Sequence, residues 1–180
     1  MFKIVKDTNP NLRRPCLEVP LPLTEEDGET LKQMLDYLKK SQDPDFLKSH
    51  PSVRSGVGLA APQIGINKRM IAVYFEEAGK EVTHLLANPK IVASSVRMAY
   101  LSGGEGCLSV DSPHPGPVYR PYKITVKAFD AIAGKERKIV ARGYESIVLQ
   151  HEIDHLDGIL FYDHIGKKDP SIDYSDAIEI

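Results

Sequence analysis

Residues 150–158 read QHEIDHLDG, two histidines four positions apart with a glutamate directly after the first. Residues four apart share one face of a helix, so in helical form His151 and His155 point at one object. Working outward, Tyr144, Ile147, Val148, His151 and His155 recur at three- and four-residue steps, with Gly143 before them and Gly158 after. The spacing predicts a helix of about four turns at roughly 3.6 residues per turn, closed by a glycine. The histidines continue its inward, apolar face. A pair of core histidines bonded to backbone would satisfy that spacing alone. Glu152 adds the full HExxH pattern, which on a helix points to a metal hydrolase with the glutamate moving protons.

The segments before this helix are of another kind. RMIAVYF, VTHLLANP and KIVASSVRMAY are rich in β-branched and aromatic residues and read as strands. YKITVKAFD and KERKIVAR flank Gly134 and read as an antiparallel hairpin. Nearer the start, Thr24 is a helix N-cap with Asp27 three residues on, and Leu31, Met34, Leu35 and Leu38 form one apolar stripe. VGLAAPQIG, broken by Pro62, reads as extended or turning, and SGGEGCLSVDSPHPGP as irregular. The predicted fold class is α+β: antiparallel β-sheets packed around a central HExxH-bearing helix, with an N-terminal helix.

Composition bounds the function classes. The 180 residues fit one domain, residues 1–180, with 42% apolar and 27% charged residues. A formal net charge of −2 gives no argument for a nucleic-acid or acidic-membrane surface. The start, MFKIVKDTNPNLRRP, has no apolar signal stretch, and no run approaches the roughly 18 apolar residues a membrane helix needs. The expected address is the cytoplasm, where a Cys16–Cys107 disulfide is not favoured. Cys16 reads as a small buried hydrophobe.

A catalytic metal takes three protein ligands and leaves a position for water. The extended metzincin pattern would put a third histidine at position 161, where Phe161 stands. His164 reads as a surface or hinge histidine. Glu179 is the one glutamate after the helix, beside an end expected to fray. The best remaining candidate is Cys107, a thiolate in a glycine-flanked loop that lets the backbone approach a metal. Glu105 either orients a histidine ligand or is a surface carboxylate.

Three segments, GVGLAAPQ (56–63), EGCLS (105–109) and QHEIDHLDG (150–158), resemble the three signature motifs of peptide deformylase, in the right order. The 41 residues between Gln63 and Glu105 (105 − 63 − 1) and the tail DPSIDYSDAIEI are similar to the longer type 2 form of Gram-positive bacteria. The resemblance implies that Cys107, His151 and His155 bind one divalent metal ion. Iron(II) is the usual native metal, with zinc, nickel or cobalt as substitutes. It implies Glu152 as general acid and base, and Gln63 with the Leu108 N–H as donors to the carbonyl oxygen. Gly58 would help position the formyl group, and Gly56 and Val57 would line the peptide groove. The implied reaction removes formate from N-terminal formylmethionine. The implied partners are N-formylmethionyl nascent peptides, which arise at the ribosome, and the implied state is a monomer.

The chemistry agrees with that assignment. A metal lowers the pKa of water, a glutamate can take and return its proton, and amide donors stabilise an oxyanion. A formyl carbon carries only hydrogen, so a tight site can admit it and exclude larger acyl groups. Ile147 and Val148, one turn before His151, are placed to line an apolar methionine slot, with Tyr144 at its edge or simply in the helix core. The competing readings are a metalloendopeptidase, and a structural metal protein, which would want a fourth ligand.

Overall fold

Helix α3 (Gly143–Leu156) occupies the centre of the computed structural model, which describes residues 2–180. It buries Ile147, Val148, Leu149, Ile153 and Leu156, and also Ser146, Gln150, Glu152 and His155. A helix buried nearly all round belongs inside a fold and not on its surface. The chain leaves it through Asp157 and then Gly158 at φ +74°, where a Cβ would lie 2.6 Å from the Arg13 carbonyl oxygen. Only glycine fits that exit.

The strands are β1 (Gly58–Ala60), β2 (Met70–Glu77), β3 (Lys80–Ser94), β4 (Met98–Tyr100), β5 (Arg120–Pro121), β6 (Lys123–Asp130), β7 (Lys135–Arg142) and β8 (Ile178–Glu179). Five form an antiparallel sheet in the order β1-β2-β3-β6-β7, and three form a small sheet in the order β5-β4-β8. In β2 the side chains alternate between two cores. Ile71, Val73 and Phe75 pack with Val148, Leu149, Ile153 and Leu156 of α3. Met70 and Ala72 pack with Leu31, Met34 and Leu38 of helix α1 (Glu25–Ser41). Being covered on both faces explains why RMIAVYF is almost continuously apolar.

Thr24 caps α1, its hydroxyl accepting from the Asp27 N–H at 3.1 Å as predicted. Leu31, Met34 and Leu38 are fully buried, Leu35 is half-buried, and Tyr37 joins the buried face. A short helix α2 (Pro44–Ser49) follows, capped by Asp43. Cys16 is buried in the α3 core and free, as expected of a small buried hydrophobe. The hairpin around Gly134 is β6–β7.

Four expectations need correction. VTHLLANP and KIVAS are one strand, β3, continuing through Asn88 (φ +51°) and Pro89 by a register shift between Ala87 and Lys90. A bulge absorbs the proline that lacks a ladder donor. The VRMAY part separates and, as β4, joins the other sheet. The sheets are not wholly antiparallel, because β4 and β8 pair in parallel. The tail is not frayed: the Tyr100 hydroxyl donates to Glu179 at 2.9 Å, and the Ile180 N–H donates to the Tyr100 carbonyl at 2.9 Å. Among the described residues, no helix is long and apolar enough to cross a membrane.

Candidate metal and catalytic site

His151 and His155 stand one turn apart on α3, with ring centroids 5.1 Å apart. The irregular loop between β4 and β5 carries Cys107 to them, its Sγ 3.3 Å from His155 Nε2. One ligand atom from each of Cys107, His151 and His155 lies within 4.8 Å of the others. The donor set of one thiolate and two imidazoles suits zinc, iron(II), cobalt or nickel, and three ligands leave a position open.

The rest of the pocket orients these donors. His151 donates from Nδ1 to Glu105 Oε2 at 2.8 Å, which leaves Nε2 for an ion. Glu105 is therefore no surface carboxylate; its side chain is 3% exposed. Arg120, 4% exposed, grips it with two donors, Nε to Oε1 at 2.5 Å and Nη2 to Oε2 at 3.0 Å. The same guanidinium donates to Asp154 at 2.8 Å, and His164 donates to that carboxylate at 2.8 Å. Burial works against ionising Glu105, but the hydrogen bonds from His151 and Arg120 outweigh it and hold its pKa down to about 2. Burial lowers the His155 pKa well below the ordinary value, helped by the neighbouring His151. His155 Nδ1 is buried without a partner among the described residues. Phe161, at the position the metzincin pattern gives to histidine, stacks on His151 at 6.0 Å.

Glu152 is buried beside the ligands, and its Oε2 has no partner among the described residues. Burial pushes its pKa up to about 7, close to where a proton carrier works well. A cation held by the three ligands would oppose that shift. Gly58 is a glycine because Glu152 fills the space its side chain would need. Gln63, 1% exposed, is held by the Ala60 N–H donating to its Oε1 at 2.8 Å. Its Nε2 then faces inward, donating to Ser109 Oγ at 3.1 Å and Cys107 Sγ at 3.4 Å. Leu108 is buried, and a Cβ on Gly56 would lie 2.7 Å from its Cδ1.

A cleft of about 340 Å³ opens beside these groups. Gly56, Val57, Gly58, Tyr144, Ile147 and Val148, all anticipated, line it together with Arg54 and Leu101, which were not. Tyr144 lines the cleft and also meets Phe75 edge-on at 5.0 Å in the core. Arg120 and Asp154 were missed as well. Asp154 lies inside the HExxH segment, and its spacing on the ligand helix was the available signal. Arg120 had none.

Residues 1–171 match the family model for polypeptide deformylase. The chain belongs to this family. Peptide deformylase of Macrococcus caseolyticus is 49% identical over 182 residues, spanning all of this chain and 98% of that protein. Among solved structures, a probable peptide deformylase from Synechococcus phage S-SSM7 aligns with a TM-score of 0.75 and 37% identity, over 92% of this chain and 100% of that one. A class I type b peptide deformylase from Acinetobacter baumannii, bound to Met-Ala-Ser, aligns at 0.71 and 28% identity, over 92% and 98%. As a deformylase the chain is a metal-dependent enzyme that removes the formyl group from N-terminal methionine, and an endopeptidase is not favoured.

Proposed function

We propose that Cys107, His151 and His155 hold one divalent ion, that Glu152 is the general acid and base, and that Gln63 and the Leu108 N–H receive the carbonyl oxygen. The observation that carries this reading is the convergence of three ligand atoms within 4.8 Å beside a buried carboxylate with an unpartnered oxygen. When bound, the ion lowers the pKa of a water toward neutrality and polarises a carbonyl. Glu152 takes that water's proton and delivers it to the leaving amine. Gln63 cannot turn its amide while Ala60 holds Oε1, so its donors stay aimed at the place where negative charge grows. An arriving oxygen competes with Ser109 and Cys107 for one of those donors and wins as it becomes charged.

Gly58 and Glu152 leave little room at the reacting carbon, which suits a formyl group and disfavours a larger acyl group. Ile147 and Val148 offer an apolar wall to the methionine side chain, with Tyr144 at its edge. Gly56 and Val57 lead into β1, the outer strand of its sheet, where an extended peptide can lie alongside.

Iron(II) is the native metal in this reading, with zinc, nickel or cobalt able to replace it, and protein isolated without air should carry iron by elemental analysis. Residues 1–180 form one catalytic domain of the longer type 2 form. It works as a monomer in the cytoplasm, meeting formylated chains as they leave the ribosome. The deciding experiment incubates the protein with a formyl-Met peptide and measures formate and free amine separately from chain cleavage. Formate with an intact chain supports the reading; internal cleavage without formate overturns it.

A further inference from the structure

Arg54, just before the first motif, donates to three carbonyls of the Cys107 loop. Its Nη2 reaches the Cys107 oxygen at 2.9 Å and the Leu108 oxygen at 2.5 Å, and its Nη1 reaches the Val110 oxygen at 3.0 Å. This loop has no strand partner to satisfy its backbone, so a side-chain cation takes that place. Two further donors add to the hold. The Val110 N–H meets the Cys107 oxygen at 3.2 Å, and Lys6 meets the Leu108 oxygen at 3.2 Å.

In a planar trans peptide the C=O and the next N–H point in opposite directions. Fixing the Leu108 carbonyl on Arg54 therefore turns the Ser109 N–H away from Arg54, and that N–H donates to Cys107 Sγ at 3.4 Å. The far side of this peptide is thus the metal side. Fixing the Cys107 carbonyl on the same guanidinium turns the Leu108 N–H away from Arg54 in the same manner. Two consecutive carbonyls held by one cation leave two consecutive N–H groups on the face opposite it. One of these donors serves the thiolate, and the other is free to serve the reacting oxygen.

We infer that Arg54 is a positioning residue: by gripping the carbonyls of Cys107 and Leu108 from outside, it aims the Leu108 N–H at the oxyanion and the Ser109 N–H at the ligand sulfur. This rests on the reading of the Leu108 N–H as an oxyanion donor. Arg54 also lines the cleft, but its guanidinium is engaged by these three carbonyls and acts through the loop they belong to. A lysine cannot replace it, since a single ammonium does not span three carbonyls with the geometry of a planar fork.

The test uses full-length, zinc-loaded protein and the variants R54K and R54A. Both should keep wild-type metal content. R54A should lose about 10- to 10²-fold in kcat, with KM for a formyl-Met peptide changed by less than about threefold, and R54K should fall between. Added ethylguanidinium should restore part of the lost rate of R54A and leave the wild-type rate unchanged, which separates a positioning defect from misfolding. The amide resonances of Leu108 and Ser109 should move in R54A. Unmoved resonances overturn the role of Arg54 whatever the rate does. Moved resonances with an unchanged kcat also overturn the inference, and locate the failure in the oxyanion reading of Leu108.

Discussion

Gly58 and Glu152 are packed so closely that a Cβ at position 58 would lie 2.1 Å from the Glu152 Oε1 and 2.6 Å from its Cδ. More than the tip of the carboxylate is in the way, and Glu152 is enclosed on α3, so it must be displaced. Gly58→Ala should therefore keep its metal and fold while losing on the order of 10²-fold in kcat, the penalty for a misplacement of about 1 Å. Steady-state kinetics with metal content measured alongside check this. An alanine variant at wild-type rate would mean that Glu152 works from another position.

Glu152→Gln keeps the shape of the side chain and removes its ability to take a proton. The variant should bind metal normally and lose about 10² to 10⁴ in turnover. Elemental analysis and single-turnover measurements on the same sample separate the two effects. Retained turnover would take the proton-transfer role away from Glu152.

Gln63 distinguishes stabilisation of the transition state from substrate binding. Gln63→Leu removes the donors that meet Ser109 and Cys107 and that, in the proposed mechanism, turn to the developing charge. Turnover should fall by about 10²- to 10³-fold, with the Michaelis constant little changed. Gln63→Glu should be as damaging or worse, since a carboxylate would face the new negative charge. A normal kcat with a raised KM in Gln63→Leu would make it a substrate-positioning residue.

Arg120 is 4% exposed between the Glu105 and Asp154 carboxylates. Arg120→Ala leaves both without their cation, and breaking such a buried pair costs about 3–5 kcal/mol. Urea unfolding measures that loss. The pH dependence follows in the metal-free protein. Glu105 is depressed to about 2 from its ordinary 4.5, so its contribution is present above pH 4.5 and disappears as the pH falls toward 2. In Arg120→Ala the depression shrinks, and acid unfolding should begin at a higher pH. Coincident acid transitions in variant and wild type would contradict this.

The two cysteines should differ in reactivity. Burial pushes the Cys16 thiol up to about 11, so at pH 8 only about one molecule in a thousand carries its thiolate. Iodoacetamide on chelator-treated protein should modify Cys107 and leave Cys16 untouched, and restoring metal should protect Cys107. Peptide mass mapping reads both sites. Labelling of Cys16 at a similar rate would show that its core opens readily.

What could be read from the sequence was local in cause. Gly143, Gly158 and the three- and four-residue steps between them delimit α3, because caps and periodicity act within a few residues. Cys107 emerged because its glycine-flanked loop is a local signal too. The pairing across Asn88 and Pro89 was hidden, since a proline looks like a strand end unless a bulge is known to hold it. Arg120 was hidden for a different reason. It ends an irregular loop, and its partners Glu105 and Asp154 lie 15 and 34 positions away in opposite directions. Glu179 looked free because its strand partner, β4, sits far back in the chain.

The three donors of the metal site also differ in how far the chain must travel to deliver them. His151 and His155 come together whenever one helical turn forms, whereas Cys107 lies 48 positions from His155 and arrives only after a long loop has closed. An ion bound by all three acts as a staple across that closure, and its binding free energy belongs to the native state alone. A chain stripped of its ion should refold more slowly, unfold at a lower midpoint and meet proteases sooner. The supply of metal would then set how long each molecule lasts, as well as how fast it works.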